Sequence, residues 1–91
     1  TRGIKMLFKI FTIYDQAAKT FGIPFFMPEQ GQATRLFTDW VNDRDHAFGK
    51  HPEDYTLFEI GAYDGTSASL EKYDVVKSIG TGVEFLNPEP T

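Results

Sequence analysis

Two alternating sets of apolar side chains fill both faces of the segment 6–14. They are Leu7, Phe11 and Ile13 on one face, and Phe8, Ile10 and Tyr14 on the other. A period of two predicts a β-strand, and apolar residues on both faces predict a central place in its sheet. Asp15 follows as a helix N-cap, and the alanines after it predict one or two helical turns.

The strongest helical pattern covers residues 30–43. Its apolar residues recur at spacings of three and four, which is typical of one buried stripe; they are Ala33, Leu36, Phe37, Trp40 and Val41. Asn42 is the predicted terminator. Before this helix, the segment 21–28 contains two prolines and a glycine, which favour an extended, aromatic-rich connection. After it, residues 42–54 are predicted to form a polar loop that Phe48 anchors in the core.

Strand patterns return in the second half of the chain. Residues 55–63 alternate, residues 64–67 (Asp-Gly-Thr-Ser) are typical of a hairpin turn, and residues 69–74 and 82–86 are predicted as a third and a fourth strand. The sequence therefore predicts an α+β fold, with a three- to four-stranded, largely antiparallel sheet and one main amphipathic helix packed on one face. The segment 21–28, a second copy of the chain and a ligand remain alternative covers for the other face.

We predict a single domain over residues 6–86, with a flexible leader at 1–5 and a flexible tail at 87–91. The 91 residues include no cysteine, which excludes a disulfide scaffold, a cysteine nucleophile and a thiolate metal site. No apolar stretch has the length of a membrane-spanning helix, so we expect no membrane partner and a cytoplasmic setting.

Catalytic and metal-binding patterns are weak. His46 and His51 lie in the polar loop near Asp45, Glu53 and Asp54, but this spacing matches no standard set of metal ligands. No nucleophile motif, and no His-apolar-His pair of the kind a nicking enzyme needs, is present. We therefore expect a protein that is not an enzyme and that has no cofactor.

Aromatic rings interleaved with basic residues are the positive feature of the first half. Residues 1–50 carry seven basic and five acidic groups, whereas residues 51–91 carry two basic and eight acidic groups, within a net charge of −4. Single-stranded nucleic acid binds by stacking its bases on rings beside cations. The predicted nucleic-acid-binding residues are Lys9, Phe11, Tyr14, Lys19, Phe25, Phe26 and Arg35. The alternative is that most of these rings form the core.

The segment 51–60, His-Pro-Glu-Asp-Tyr-Thr-Leu-Phe-Glu-Ile, resembles the small nonstructural proteins of gokushoviruses, which are Microviridae with circular single-stranded DNA genomes that infect bacteria. Three more segments are similar to that family in order and spacing. They are Lys-Ile-Phe-Thr-Ile-Tyr-Asp at 9–15, Pro-Phe-Phe at 24–26, and Ala-Thr-Arg-Leu-Phe at 33–37 followed by Val-Asn-Asp at 41–43. The resemblance runs from about residue 6 to residue 86.

The resemblance implies a non-enzymatic viral nonstructural protein that binds single-stranded DNA. Its expected role is to assist the switch from genome replication to single-strand synthesis and packaging. It would act in the cytoplasm of the infected bacterial host and be absent from the mature virion. Because one chain offers few contacts, we expect a homodimer or a higher homo-oligomer, with a viral or host replication protein as a possible further partner.

The acidic second half supports an alternative, an acidic protein-interaction module that binds a viral or host protein. The surface distinguishes the two hypotheses. A coherent basic stripe beside exposed rings would favour DNA, and an acidic face would favour the interaction module.

Overall fold

A computed structural model of the chain describes residues 6–88; the predicted leader at 1–5 and the last residues of the predicted tail, 89–91, lie outside this range. The strands and helices are β1 (Leu7–Asp15), β2 (Thr20–Phe21), β3 (Phe25–Met27), α1 (Gln30–Val41), α2 (Ala47–Lys50), β4 (Tyr55–Asp64) and β5 (Ser69–Thr81). Two 3₁₀ turns, Pro52–Asp54 and Gly82–Phe85, complete the list. The α+β prediction, with an antiparallel sheet and one main helix, is confirmed.

The sheet is antiparallel throughout, and β1 lies inside it. β4 pairs with one side of β1, β5 pairs with β4, and β2 and β3 share the other side of β1. The predicted central position of the first strand is therefore confirmed. The segment 21–28 is extended as predicted, and it widens the sheet as part of β2 and β3. Its Phe21 ring packs against Tyr14 and its Phe25 ring against Phe11, on opposite faces, and the Gly22 carbonyl accepts from the Thr12 hydroxyl (2.8 Å).

The core lies between α1 and one face of the sheet, which we call the helix-side face. Its buried members are Phe11, Ile13, Ala33, Phe37, Val41 and Leu57. The helical stripe is confirmed, with Leu36 and Trp40 half-buried at its margin. Asn42 ends the helix as predicted, and its side chain holds the C-terminal segment. Its Nδ2 donates to the carbonyl oxygens of Thr38 (2.8 Å) and Phe85 (3.0 Å), and its Oδ1 accepts from the Asn87 amide (2.8 Å).

Phe48 anchors the polar loop as predicted. It lies in the short helix α2, and its ring centroid is 5.6 Å from that of Trp40 and 4.4 Å from that of Tyr55. Such close, non-parallel ring pairs stabilise a core beyond the area that they bury.

Two turns of the same design reverse the chain. In each turn, the side chain of the first residue, Asp15 or Asp64, accepts hydrogen bonds from backbone N–H groups within the turn. The last turn residue has a positive φ, which is 59° for Lys19 and 60° for Ala68. The second turn was predicted. The helical turns predicted after Asp15 are wrong, because the bonds from Ala17 and Ala18 to the Asp15 carboxylate close a turn into β2.

The predictions for the C-terminal third need two corrections. The third strand does not stop at residue 74 but runs as β5 to Thr81, and residues 82–85 form a 3₁₀ turn where a fourth strand was predicted. Gly82 lies so close to Pro52 that a Cβ would be 2.5 Å from the Pro52 carbonyl oxygen. The chain turns there toward α1, where the Phe85 ring packs 5.7 Å from that of Phe37.

Candidate nucleic-acid interface

The sheet face opposite α1, which we call the far face, carries two clusters of rings. The proximal cluster consists of Tyr14, Phe21 and Phe58, near the β1–β2 turn. Ring centroids are 4.7 Å apart for Tyr14 and Phe21, and 5.6 Å apart for Phe21 and Phe58. Phe21 is 52% exposed, so the cluster presents ring surface to solvent.

The distal cluster consists of Phe8, Phe26, Tyr63 and Leu70, near the β4–β5 turn. These four side chains line an open, apolar depression of about 450 Å³. The Tyr63 ring centroid is 6.3 Å from that of Phe8 and 5.6 Å from that of Phe26. Leu70 is 65% exposed and Phe26 is 45% exposed.

A β-bulge in β4 decides which rings share the far face. Strict alternation places Phe58 and Tyr63, five residues apart, on opposite faces. In the structure Phe58 pairs with Thr12 and Tyr63 pairs with Phe8, because β4 has one extra residue, Ile60, at the register shift. An extra residue on one strand moves every later side chain to the other face. The alternation of the sequence therefore does not predict Phe58 and Tyr63 as members of one face.

Gly61 follows the bulge and permits the close approach of β5. A Cβ at this position would collide with the backbone carbonyl of Glu71. β5 has its own irregularity here, since Lys72 pairs with Gly61 while Lys77 pairs with Glu59. The four β5 residues 73–76 therefore lie opposite a single β4 residue, Ile60.

The far face is aromatic and nearly uncharged. Among the described strand residues that pair across it, Lys72 is the one charged side chain, while Lys9, Glu59 and Glu71 pair on the helix-side face. The surface is thus neither a coherent basic stripe nor an acidic face.

Of the predicted rings, the structure places Tyr14 in the proximal cluster and Phe26 in the distal cluster. Phe11 is fully buried in the helix-side core, so the prediction that its ring stacks with a base is wrong. Phe25 is half-buried on the same side, with its ring 5.9 Å from Phe11 and 5.8 Å from Trp40. The face of the Phe25 ring is therefore covered by core side chains.

The three predicted cations lie on different surfaces. Lys9 is on the helix-side face, where its Nζ is 3.4 Å from Oε2 of Glu59. Arg35 is exposed on α1, and Lys19 ends the β1–β2 turn, one residue before β2. Of the three, Lys19 is therefore the nearest in the chain to the proximal cluster, two residues before Phe21.

Glu59 is a buried carboxylate on the helix-side face, only 3% exposed. Its Oε2 accepts a 2.7 Å hydrogen bond from the Tyr73 hydroxyl, and its Oε1 is buried with no hydrogen-bond partner in the described part of the chain. The hydrogen bond to Glu59, followed by burial, raises the pKa of Tyr73 to about 12. Lys9→Glu would place a second carboxylate beside Glu59. The substitution would therefore perturb folding in addition to any effect on ligand binding.

The histidines of the polar loop separate in the structure. His46 stacks on Trp40, at a centroid distance of 5.8 Å, and its Nδ1 accepts from the Phe48 amide. His51 instead lies with Glu53 and Asp54, with ligand atoms within 4.8 Å of one another. His51 and Glu53 are exposed, and Nδ1 of His51 lies 3.8 Å from Oε2 of Glu53, a surface contact that is an ion pair only when the imidazole is protonated.

The fold and this surface define a small α+β protein whose sheet has one face under a helix and one aromatic face without a helix. A model of one family, described as Phage ORF5 protein, matches residues 8–85. The chain belongs to this family and is a phage protein. No curated protein and no solved structure matches the chain. Among residues 6–88, no helix has the length and apolar character to cross a membrane.

Proposed function

We propose that this phage protein binds single-stranded DNA without catalysing a reaction. It would act in the cytoplasm of a bacterium infected by a gokushovirus, assist the switch from genome replication to single-strand synthesis and packaging, and be absent from the mature virion. The observation that supports this proposal is the proximal cluster, whose rings lie on a sheet face without a helix, with Lys19 in the turn two residues before Phe21.

Ring stacking explains a preference for single strands. A base in a duplex has both faces covered by its neighbours, whereas an unpaired base can lie on an aromatic side chain. Each such contact contributes about 1–3 kcal/mol. The exposed ring of Phe21, with Tyr14 and Phe58 supporting it, suits one or two bases.

Few cations border this cluster, which limits the electrostatic part of binding. Lys19 lies in the turn two residues before Phe21, and Lys72 lies on the same face toward the distal end of the sheet, opposite Gly61. Each phosphate neutralised on a single strand contributes a slope of about −0.7 to the dependence of log K on log salt. Two contacts therefore predict a slope of roughly −1.4, far shallower than that of a basic DNA-binding protein.

Fluorescence anisotropy of a labelled oligonucleotide tests the proposal. The full chain is titrated into a single strand and into the matching duplex, each at two salt concentrations. Phe21→Ser removes the exposed ring, and Ile23→Ser, at a 91% exposed position two residues further on, is the matched control.

We expect preference for the single strand, a shallow salt slope, and a loss of about 5- to 150-fold in affinity for Phe21→Ser but not for Ile23→Ser, since one stacked base contributes about 1–3 kcal/mol. Equal affinity of Phe21→Ser and the natural chain would remove the proximal cluster from the proposal. If no oligonucleotide binds at low salt and high protein concentration, the DNA proposal fails.

The alternative function is an acidic protein-interaction module for a viral or host protein. The excess of acidic residues in 51–91 favours it, as does the scatter of Lys9, Lys19 and Arg35 over separate surfaces. Competition supplies the test. A module of this kind would displace DNA from a basic replication protein of the same phage without binding the oligonucleotide itself.

A further inference from the structure

The distal end of the sheet extends beyond the helix layer. The molecule measures 53 × 29 × 20 Å, and on β1 the buried helix-side residues are Phe11 and Ile13. Toward the start of β1, Lys9 has a side chain that is 42% exposed and Leu7 is 52% exposed. The part formed by residues 6–10 and 61–72, which we call the distal arm, therefore has no helix on either face.

Large apolar side chains are exposed on the distal arm and on β3 beside it. On the far face, Leu70 of the arm and Phe26 of the neighbouring β3 are 65% and 45% exposed; Leu7, on the helix-side face, and Met6, just before β1, are 52% and 49% exposed. The distal cluster shapes part of this surface into a depression of about 450 Å³. Contiguous apolar surface of this kind on a small soluble protein marks an interaction site, and two- or three-stranded arms need a packed face for stability.

The charge of the arm indicates what covers it. Its charged side chains are Lys9, Asp64, Glu71 and Lys72, so the arm is neutral although the whole chain carries −4. Two copies of the arm can therefore meet without the repulsion that other surfaces of this acidic chain would cause. DNA is the less favoured occupant of the depression, because its four lining residues offer no cation and one polar side-chain group, the tyrosine hydroxyl, and Lys72 is the single far-face cation of the arm.

We propose that two copies of this chain form a symmetric dimer through their distal arms, with Leu70 of each copy packed in the depression of the other. A two-fold axis uses the same patch on both subunits, so each copy supplies both the protruding side chain and the groove. The dimer covers Phe8, Phe26 and Tyr63 on both arms.

The proximal cluster stays open in this dimer. Tyr14 lies six residues from Phe8 along β1, a distance of roughly 20 Å at the rise of an extended strand. Two proximal clusters would then face one DNA strand, and linked weak sites bind far more tightly than single ones. This consequence rests on the proposed function, but the dimer itself does not.

Sedimentation equilibrium of the full chain over a range of concentrations tests the dimer. Leu70→Glu puts a carboxylate into the interface. Val75→Glu makes the same change in charge at an 83% exposed position on the same strand, outside the depression. Circular dichroism confirms that each variant is folded.

We expect the natural chain and Val75→Glu to sediment at twice the 10.3 kDa chain mass, and Leu70→Glu to require at least tenfold higher concentration to associate. A natural chain that is monomeric at every concentration overturns the proposal, as does a Leu70→Glu protein that dimerises normally. Dissociation of the dimer by a single-stranded oligonucleotide also overturns it, because the arm would then be a DNA site. Failure of the DNA proposal alone would leave the dimer and its response to Leu70→Glu unchanged.

Discussion

Replacing Tyr73 with phenylalanine tests whether the bond between Tyr73 and Glu59 stabilises the fold. The change keeps the ring and removes the hydroxyl that donates 2.7 Å to Oε2 of the buried carboxylate. A hydrogen bond to a charged group contributes about 1.5–3 kcal/mol. The ion pair with Lys9 compensates little for the lost hydroxyl. The Lys9 Nζ is 3.4 Å from Oε2 of Glu59 and the lysine side chain is 42% exposed, and such solvent-screened pairs contribute at most about 1 kcal/mol.

We therefore expect Tyr73→Phe to lower the free energy of unfolding by about 2 kcal/mol, a large share of the roughly 5–15 kcal/mol that holds a small domain together. Urea unfolding at neutral pH, followed by the fluorescence of the single tryptophan, Trp40, measures the change. Tyr55→Phe is the control, because it removes a tyrosine hydroxyl whose pKa is raised by burial and by the Asp15 and Asp54 carboxylates, with no hydrogen bond among the causes. A Tyr73→Phe protein as stable as this control would refute the reasoning.

The pKa of Tyr73 gives the same prediction a second, independent test. The hydrogen bond to Glu59 raises this pKa to about 12, whereas tyrosine in the unfolded chain titrates near about 10. The folded state thus holds the proton more tightly, so this contribution is fully present below about pH 10 and disappears as the pH rises through about 12. The stability gap between the natural chain and Tyr73→Phe should narrow over that window. In an ultraviolet titration, Glu59→Gln should move the late phenolate transition toward the ordinary value; an unmoved transition would contradict the assigned cause.

Three further changes test the fold. Ala68→Gly should raise the free energy of unfolding by about 1 kcal/mol, because glycine adopts the positive φ of this turn without the steric cost that a Cβ incurs; a lower melting temperature would contradict this. Asn42→Ala should lower it by about 1–3 kcal/mol, since this side chain makes three hydrogen bonds, one to Thr38 and two to residues 85 and 87, and hydrogen exchange should increase at Asn87. Trp40→Ala should cost about 3–5 kcal/mol by chemical denaturation followed by circular dichroism, because the ring packs against Phe25 and Phe48; an equally stable variant would show that this contact is unimportant.

Local patterns predicted the elements whose signals lie within one stretch of chain. The stripe from Ala33 to Val41 predicted α1, because burial of one helical face needs only the spacing of its own residues. Asn42 and the turn after Asp64 were predicted for a similar reason, since their hydrogen bonds close over a few residues. The turn after Asp15 was mispredicted because an aspartate side chain that accepts nearby amides begins helices and tight turns alike.

The candidate site depended on longer-range geometry. Phe11 and Tyr14 are similar apolar ring positions in sequence, yet the first lies in the core and the second on the far face. The sequence does not indicate which face of the sheet α1 covers, and that choice decides which ring is buried. Phe58 and Tyr63 were missed for a related reason, because their common face depends on the extra residue at Ile60.

The sequence by itself determined the α+β class, the amphipathic helix, the paired strands and the membership of a phage protein family. These properties follow from residue spacing and from motifs in a fixed order. Only the tertiary structure decided the register of β4, the length of β5, the turn at residues 82–85 and the separation of Lys9, Lys19 and Arg35. Each of these depends on a partner strand or helix distant in the chain, and a one-residue bulge is enough to exchange the two faces of a sheet.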